Sequence, residues 1–187
     1  LLGGSYNPVH DGHLALAEQA RALLHLDQVW LVPCAESADL KPLAPARLRL
    51  AWLRQALKGR PGLRAWDGEI KRGGVSRTID TLRQLHRELG PGVGLTLLLG
   101  ADQVARLASW KQADRLAAYA RLAGFRRAGT HPRAPRGFRV QWLDTPLQPH
   151  ASGALRAALA AGKRPTGLPP ALAADPRLAR AYRTAGP

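Results

Sequence analysis

The spacing of apolar positions divides the chain into short strands and amphipathic helices. From residue 13 to 25, Leu14, Ala17, Ala20 and Leu24 recur at helical spacing, which predicts an amphipathic helix. Val29-Trp30-Leu31-Val32-Pro33 reads as a short buried strand ended by proline. Leu1 and Leu2 look like the tail of an earlier strand, so the opening is strand, turn, helix, strand. Such a crossover favours a parallel sheet with right-handed connections, and ligands then gather at the carboxyl ends of the strands.

The later pattern repeats this alternation. Residues 34–45 are loop-like, and a helix begins at Arg47 and ends near Gly59. Residues 63–66 read as a strand. A flexible basic turn from Glu69 then runs into a helix capped by Ser76 or Thr78. Thr96-Leu97-Leu98-Leu99 is the clearest central strand, with Gly100-Ala101-Asp102 at its carboxyl end. Two short helical patterns, 104–108 and 112–118, lie on either side of Trp110. A strand ends near Phe125, a basic loop rich in Pro and Gly covers 126–137, and 140–143 form a last strand. Residues 153–161 and 171–183 read as helices. The expected class is α/β: a Rossmann-like, doubly wound, mostly parallel sheet with helices on both faces and a small helical C-terminal part. With no repeat and no long linker, the 187 residues are expected to form one domain, 1–187.

Composition narrows the function classes. No apolar run reaches the ~20 residues that span a bilayer, and the start enters a glycine turn instead of a leader-like charged and apolar segment. Cys34 is the single cysteine, so no intrachain disulfide is expected and a reducing, cytoplasmic setting is the natural reading. The net charge of +15 invites a nucleic-acid hypothesis. Against it, one Asn, two Ile and no Met, beside abundant Ala, Leu, Arg, Gly and Pro, suggest a GC-rich coding sequence with background arginine. The charge forms no basic block and has little aromatic interleaving, which fits attraction of small anions better than nucleic acid.

The candidate chemistry centres on Gly3-Gly4-Ser5-Tyr6-Asn7-Pro8-Val9-His10-Asp11-Gly12-His13. Paired glycines allow a tight bend and close approach of a ligand, and the helix that follows offers free N–H groups to an anion such as phosphate. His10 and His13, three residues apart, can point the same way and donate to phosphate oxygens. The alternative is a pair of surface histidines at a helix start.

This stretch resembles the nucleotidyltransferase superfamily signature Gly-(Ser/Thr)-Phe-Asp-Pro-x-His-x-Gly-His, with Tyr6 and Asn7 as mild variants. Further along, Arg72-Gly73-Gly74-Val75-Ser76-Arg77-Thr78-Ile79-Asp80-Thr81-Leu82 resembles the Arg-x-Gly-x-Ser-Tyr-Thr-x-Asp-Thr-Leu motif of the bacterial nicotinate mononucleotide adenylyltransferases. Gly100-Ala101-Asp102 followed by Trp110, and Arg127-Ala128-Gly129, are similar to that family's Gly-x-Asp…Trp and Arg-Pro-Gly elements. The resemblance covers nearly the whole chain. Arg77 stands where the family has Tyr. The Pro-Pro-His-Lys loop survives as Asp39-Leu40-Lys41, and the Ile-Ser-Ser-Thr-x-Ile-Arg motif as His150-Ala151-Ser152-Gly153-Ala154-Leu155-Arg156.

The resemblance implies adenylyl transfer from ATP to nicotinate mononucleotide, giving nicotinate adenine dinucleotide and pyrophosphate. It implies His13 and His10 as catalytic residues, and an ATP site comprising Gly3, Gly4, Ser5, His10, His13, Lys41, Gly100, Asp102, Ser152 and Arg156. The mononucleotide would meet Arg47, Arg72, Arg77, Thr78, Trp110 and Arg127. Mg²⁺ is implied as the companion of the ATP phosphates; no acidic cluster marks a protein-held metal. The expected partners are these two nucleotides, with neither nucleic acid nor membrane, and homo-oligomerisation is left open. Bland readings stand beside several roles: Asp102 as a helix cap, Arg77 as a solvated cation, Arg47, Arg72 and Arg127 as surface charge, and the other four tryptophans as core. His25, His86, His131 and His150 are read as surface residues without a metal. The competing functions are a related adenylyltransferase acting on nicotinamide mononucleotide or phosphopantetheine, a nucleotide-binding protein with little turnover, and last a basic nucleic-acid-binding module.

Overall fold

The computed structural model describes residues 1–39, 42–127, 129–146 and 151–183. Strands β1 (Leu2–Gly4), β2 (Val29–Pro33), β3 (Leu63–Ala65), β4 (Thr96–Gly100), β5 (Arg121–Arg127) and β6 (Val140–Thr145) form a sheet in the order β3-β2-β1-β4-β5-β6. Every neighbouring pair is parallel. The helices are α1 (Asp11–Leu23), α2 (Ala46–Ala56), α3 (Gly68–Arg72), α4 (Thr78–Leu89), α5 (Ala101–Ala105), α6 (Ser152–Ala160), α7 (Pro170–Ala173) and α8 (Pro176–Arg183), with 3₁₀ turns at Leu107–Ser109 and Ala113–Ala118. The expected Rossmann-like, doubly wound α/β class is the one observed.

Two apolar layers explain the winding. On one face Leu14, Ala17 and Ala20 of α1 pack with Trp52 and Leu53 of α2 and with Leu155, Leu172 and Tyr182 from the C-terminal helices. On the other, Ile79 and Leu82 of α4 pack with Val104, Leu107 and Leu116 over Leu97 and Leu99. Successive strand residues point to opposite faces, so Leu98 joins the first layer while Leu97 and Leu99 join the second. Strand order reverses between β1 and β4, and the loops leaving these strands diverge there to open a crevice.

Several local expectations need correction. The basic turn after Glu69 is partly helical, as α3, and its remainder is bound to the loop after β2 by a parallel bridge between Glu36 and Val75. Neither Ser76 nor Thr78 caps α4 through its side chain. Arg77 is the N-cap, and the Ser76 hydroxyl instead accepts the Ala35 N–H at 2.9 Å. The C-terminal helix is broken at Asp175, because Pro176 has no N–H with which to continue α7. Of the tryptophans read as core, Trp52 is fully buried, whereas Trp30, Trp66 and Trp142 are half-buried. Among the described residues no helix is long and apolar enough to cross a membrane.

Candidate active site

Glycines 3 and 4 lie in or at the end of strand β1, and the bend follows them. Tyr6 carries it, with a φ of 47° in the left-handed region and its hydroxyl donating to the Leu2 carbonyl. The expectation that the glycines make the turn is therefore corrected. What Gly3 supplies is space, since a Cβ built there meets nothing within 4 Å.

After the bend, His10 is the N-cap of α1 and His13 its third residue. The His10 backbone N–H donates to Nδ1 of His13 at 3.2 Å. That bond assigns the proton of neutral His13 to Nε2, so the ring is a donor on its other edge. The two imidazoles lie 3.7 Å apart between centroids, and Tyr6 meets His13 edge-on at 5.0 Å. Burial pushes the pKa of His13 down to about 3, with repulsion from His10 adding to the effect.

The segment bearing these histidines is braced from distant parts of the chain. The Ser152 hydroxyl donates to the Pro8 carbonyl at 3.1 Å, and Arg156 Nη1 to the Asn7 carbonyl at 2.8 Å. Oδ1 of Asn7 accepts both the Tyr182 hydroxyl at 2.7 Å and the Ala44 N–H at 3.1 Å. Helix α6 thus starts against the histidine loop.

A cavity of about 460 Å³ opens at the β1/β4 switch. Its lining includes Gly3, Gly4 and Ser5 from the end of β1, Gly100 from the end of β4, Arg77 and Thr78 from the start of α4, and Trp110. Seven residues singled out in the sequence are thereby gathered around one space. The two histidines, Ser152 and Arg156 adjoin it through the bend without lining it. Asp102 is exposed in the first turn of α5, accepts from Gln103 at 2.8 Å, and caps nothing through its side chain.

Others stand apart. Arg47 is exposed on α2 and does not line the cavity. Arg72 bonds Gln84 at 2.6 Å and Thr81 at 2.9 Å, tying α3 to α4. Lys41, His150 and the Arg127 side chain lie outside the described residues. His25 and His131 are exposed at the surface, and His86 meets Tyr119 edge-on at 5.6 Å.

The structure also brings forward residues that sequence reading passed over. Arg49 is fully buried and donates to the carbonyls of Ser5, Cys34, Ala35 and Ala44 at 2.6–2.9 Å. The signal was present: Arg49 falls on the buried stripe of α2 with Trp52, Leu53 and Ala56. Cys34, Asp39, Glu69, Ser76, Arg106 and Lys111 complete much of the wall. Burial pushes the Glu69 carboxyl up, opposed by hydrogen bonds from the Thr81 and Ser76 hydroxyls and by the charge of Arg72. Burial likewise raises the Cys34 thiol, which keeps it protonated and unreactive.

No group of three or more His, Cys, Asp or Glu side chains able to hold a metal occurs among the described residues. The carboxylates of the wall are engaged: Asp39 with Arg106, and Glu69 with Thr81. These donors do not fit a protein-held magnesium.

Residues 1–156 match the Cytidylyltransferase-like family. The chain belongs to that family, in its nicotinate-nucleotide adenylyltransferase branch. A "probable nicotinate-nucleotide adenylyltransferase" of Streptococcus mutans is 36% identical over 181 residues, covering 94% of this chain and 83% of the relative. One of the same name from Bordetella pertussis is 40% identical over 183 residues, covering 91% and 89%. The fold is also that of Plasmodium falciparum nicotinic acid mononucleotide adenylyltransferase complexed with NaAD, with a TM-score of 0.69 at 20% identity over 84% of this chain and 82% of that one. Membership places the chain among nucleotidyl-transferring enzymes.

Proposed function

We propose that this enzyme transfers the adenylyl group of ATP to nicotinate mononucleotide, releasing pyrophosphate and forming nicotinate adenine dinucleotide. The observation that carries the reading is the cavity at the β1/β4 switch, where Thr78 and Trp110 share a wall with the backbone of Gly3, Gly4 and Ser5, next to the histidine pair. One side offers a flat aromatic partner and a helix start for a pyridine carboxylate. The other offers open backbone and imidazole donors for phosphates.

In the reaction an acceptor phosphate oxygen bonds the α-phosphorus of ATP while the bond to the β-phosphate oxygen breaks, and pyrophosphate leaves with that electron pair. The nucleophile is already an anion, so the protein's tasks are alignment and neutralisation of charge on the transferring group. His13, its Nδ1 occupied by the His10 N–H, is oriented to donate from Nε2 to an α-phosphoryl oxygen. His10 holds the neighbouring phosphates. Ser152 and Arg156 act first on the histidine loop through Pro8 and Asn7, and Arg156 retains further N–H groups for phosphate. Asp102, exposed beside the end of β4, accepts from ribose hydroxyls. Magnesium bound to the ATP phosphates would neutralise part of their charge.

Arg77, exposed on the cavity wall, favours an acid over an amide acceptor. Incubation with ATP, Mg²⁺ and each acceptor in turn tests the reading through pyrophosphate release. Release with phosphopantetheine and none with either pyridine mononucleotide would refute it.

A further inference from the structure

The cations lining the cavity differ in what holds them. Lys111 pairs with Asp80, 3.3 Å away, which is not part of the lining. Arg106 pairs with Asp39, which is. Its Nη2 lies 2.8 Å from one carboxylate oxygen and its Nη1 3.5 Å from the other. Arg106 follows α5, beyond the end of β4; Asp39 lies in the loop after β2. The pair therefore joins two loops that rise on either side of β1, and it does so at the cavity wall. Both side chains are partly open to solvent, at 53% and 35% exposure, so neither is locked by packing.

A carboxylate in the wall of a cavity that receives an anion opposes binding unless a cation neutralises it. Arg106 supplies that neutralisation, and its planar fork suits phosphate as well as carboxylate. We propose that Arg106 binds the phosphate of the mononucleotide acceptor and that Asp39 is the internal anion which that phosphate displaces. The inference rests on the reading of this cavity as the acceptor site. Before the acceptor arrives, the ion pair keeps Arg106 in place and Asp39 neutralised. When it arrives, the fork exchanges one anion for another, and the tie between the two loops is released.

The test is binding of nicotinate mononucleotide to the full chain by calorimetry, with KM values for acceptor and ATP, in Arg106→Ala, Asp39→Asn and the double variant. Salt of about 0.15 M screens general field effects beyond ~8 Å. Asp39→Asn removes the competitor and tightens acceptor binding roughly two- to fivefold, the scale of an exposed ion pair. Arg106→Ala weakens it about tenfold or more, as expected for loss of a charge-assisted phosphate contact, with KM for ATP as the reference. With Arg106 absent there is no fork for the phosphate to win, so Asp39→Asn removes only an un-neutralised charge and the double variant stays weaker than Asp39→Asn alone. An Asp39→Asn chain that binds acceptor no better than wild type overturns the exchange, and so does a double variant that binds as tightly as Asp39→Asn alone. Wild-type protein that neither binds nor adenylylates any pyridine mononucleotide overturns the functional reading, and this inference with it.

Discussion

Nη1 of Arg49 donates to the carbonyl of Ser5 at 2.6 Å, fixing the end of the first strand to the second helix. The same guanidinium takes the carbonyls of Cys34 and Ala35 at the end of β2 and of Ala44 before α2. One buried cation thus ties the end of β1, which lines the crevice, to the end of the neighbouring β2.

Removing that cation leaves buried carbonyls unpaired around an empty space. Arg49→Met is expected to destabilise the fold by about 3–5 kcal/mol, read from urea unfolding. Arg49→Lys recovers only part, because an ammonium cannot span acceptors arranged around a planar fork. A loss under about 1 kcal/mol in Arg49→Met would show that the carbonyls find other donors.

Histidine 13 gives a pH dependence with a definite sign. The folded chain keeps it neutral down to about pH 3, whereas the unfolded chain protonates it near the ordinary 6.5. Between these values the unfolded state holds the extra proton, so stability falls as pH drops through that window and is unaffected by this group above it. The slope is bounded by about 1.4 kcal/mol per pH unit, and partial solvent contact of the ring keeps it below that limit. His13→Asn is expected to flatten this part of the stability profile; an unchanged profile would reject the assignment.

Because Nδ1 of His13 is committed to the His10 N–H, the ATP phosphates meet a neutral ring that donates from Nε2. His13→Ala is expected to lower kcat by roughly 10²–10³-fold, the scale of one lost transition-state donor, and His13→Gln, which keeps an N–H donor, to recover part of it. A His13→Ala variant whose kcat stays within about fivefold of wild type counts against the role.

Glycine 3 and Gly124 separate function from folding. A Cβ at Gly3 enters open space on the cavity wall, so Gly3→Ala should leave the melting temperature nearly unchanged and raise substrate KM about tenfold or more. At Gly124 the added atom meets the Trp142 ring at 2.6 Å, so Gly124→Ala is expected to cost about 1–3 kcal/mol of stability. Calorimetric melting with initial-rate kinetics on both variants checks the contrast, and equal melting losses would refute it.

Tryptophan 110 is half-buried, packed on the second apolar layer while lining the cavity. Trp110→Ala is expected to raise the acceptor KM about tenfold with little change in KM for ATP, and Trp110→Phe to restore most of it. Equal effects on both substrates would assign the residue to general packing.

The amino-acid sequence by itself determined the units of this protein and the ends of the site. Leu14, Ala17 and Ala20 set the buried stripe of α1, and the apolar runs at 29–33 and 96–99 mark two central strands, because helix and strand periodicities follow from local geometry. The short spacing in Gly3-Gly4 and His10-Asp11-Gly12-His13 confined the candidate chemistry to one strand-to-helix passage. Tertiary structure decided which distant groups meet there. Ser152 and Arg156 reach carbonyls 144 and 149 positions away, Arg106 finds Asp39 67 positions away, and Arg49 satisfies backbone oxygens that no local pattern exposes as unpaired. Arg47 and Arg49 are two residues apart on one helix, yet one faces solvent and the other the core. Helical period distinguishes their faces, but only the packing of α2 against strand ends that must satisfy their carbonyls makes a buried guanidinium stable there.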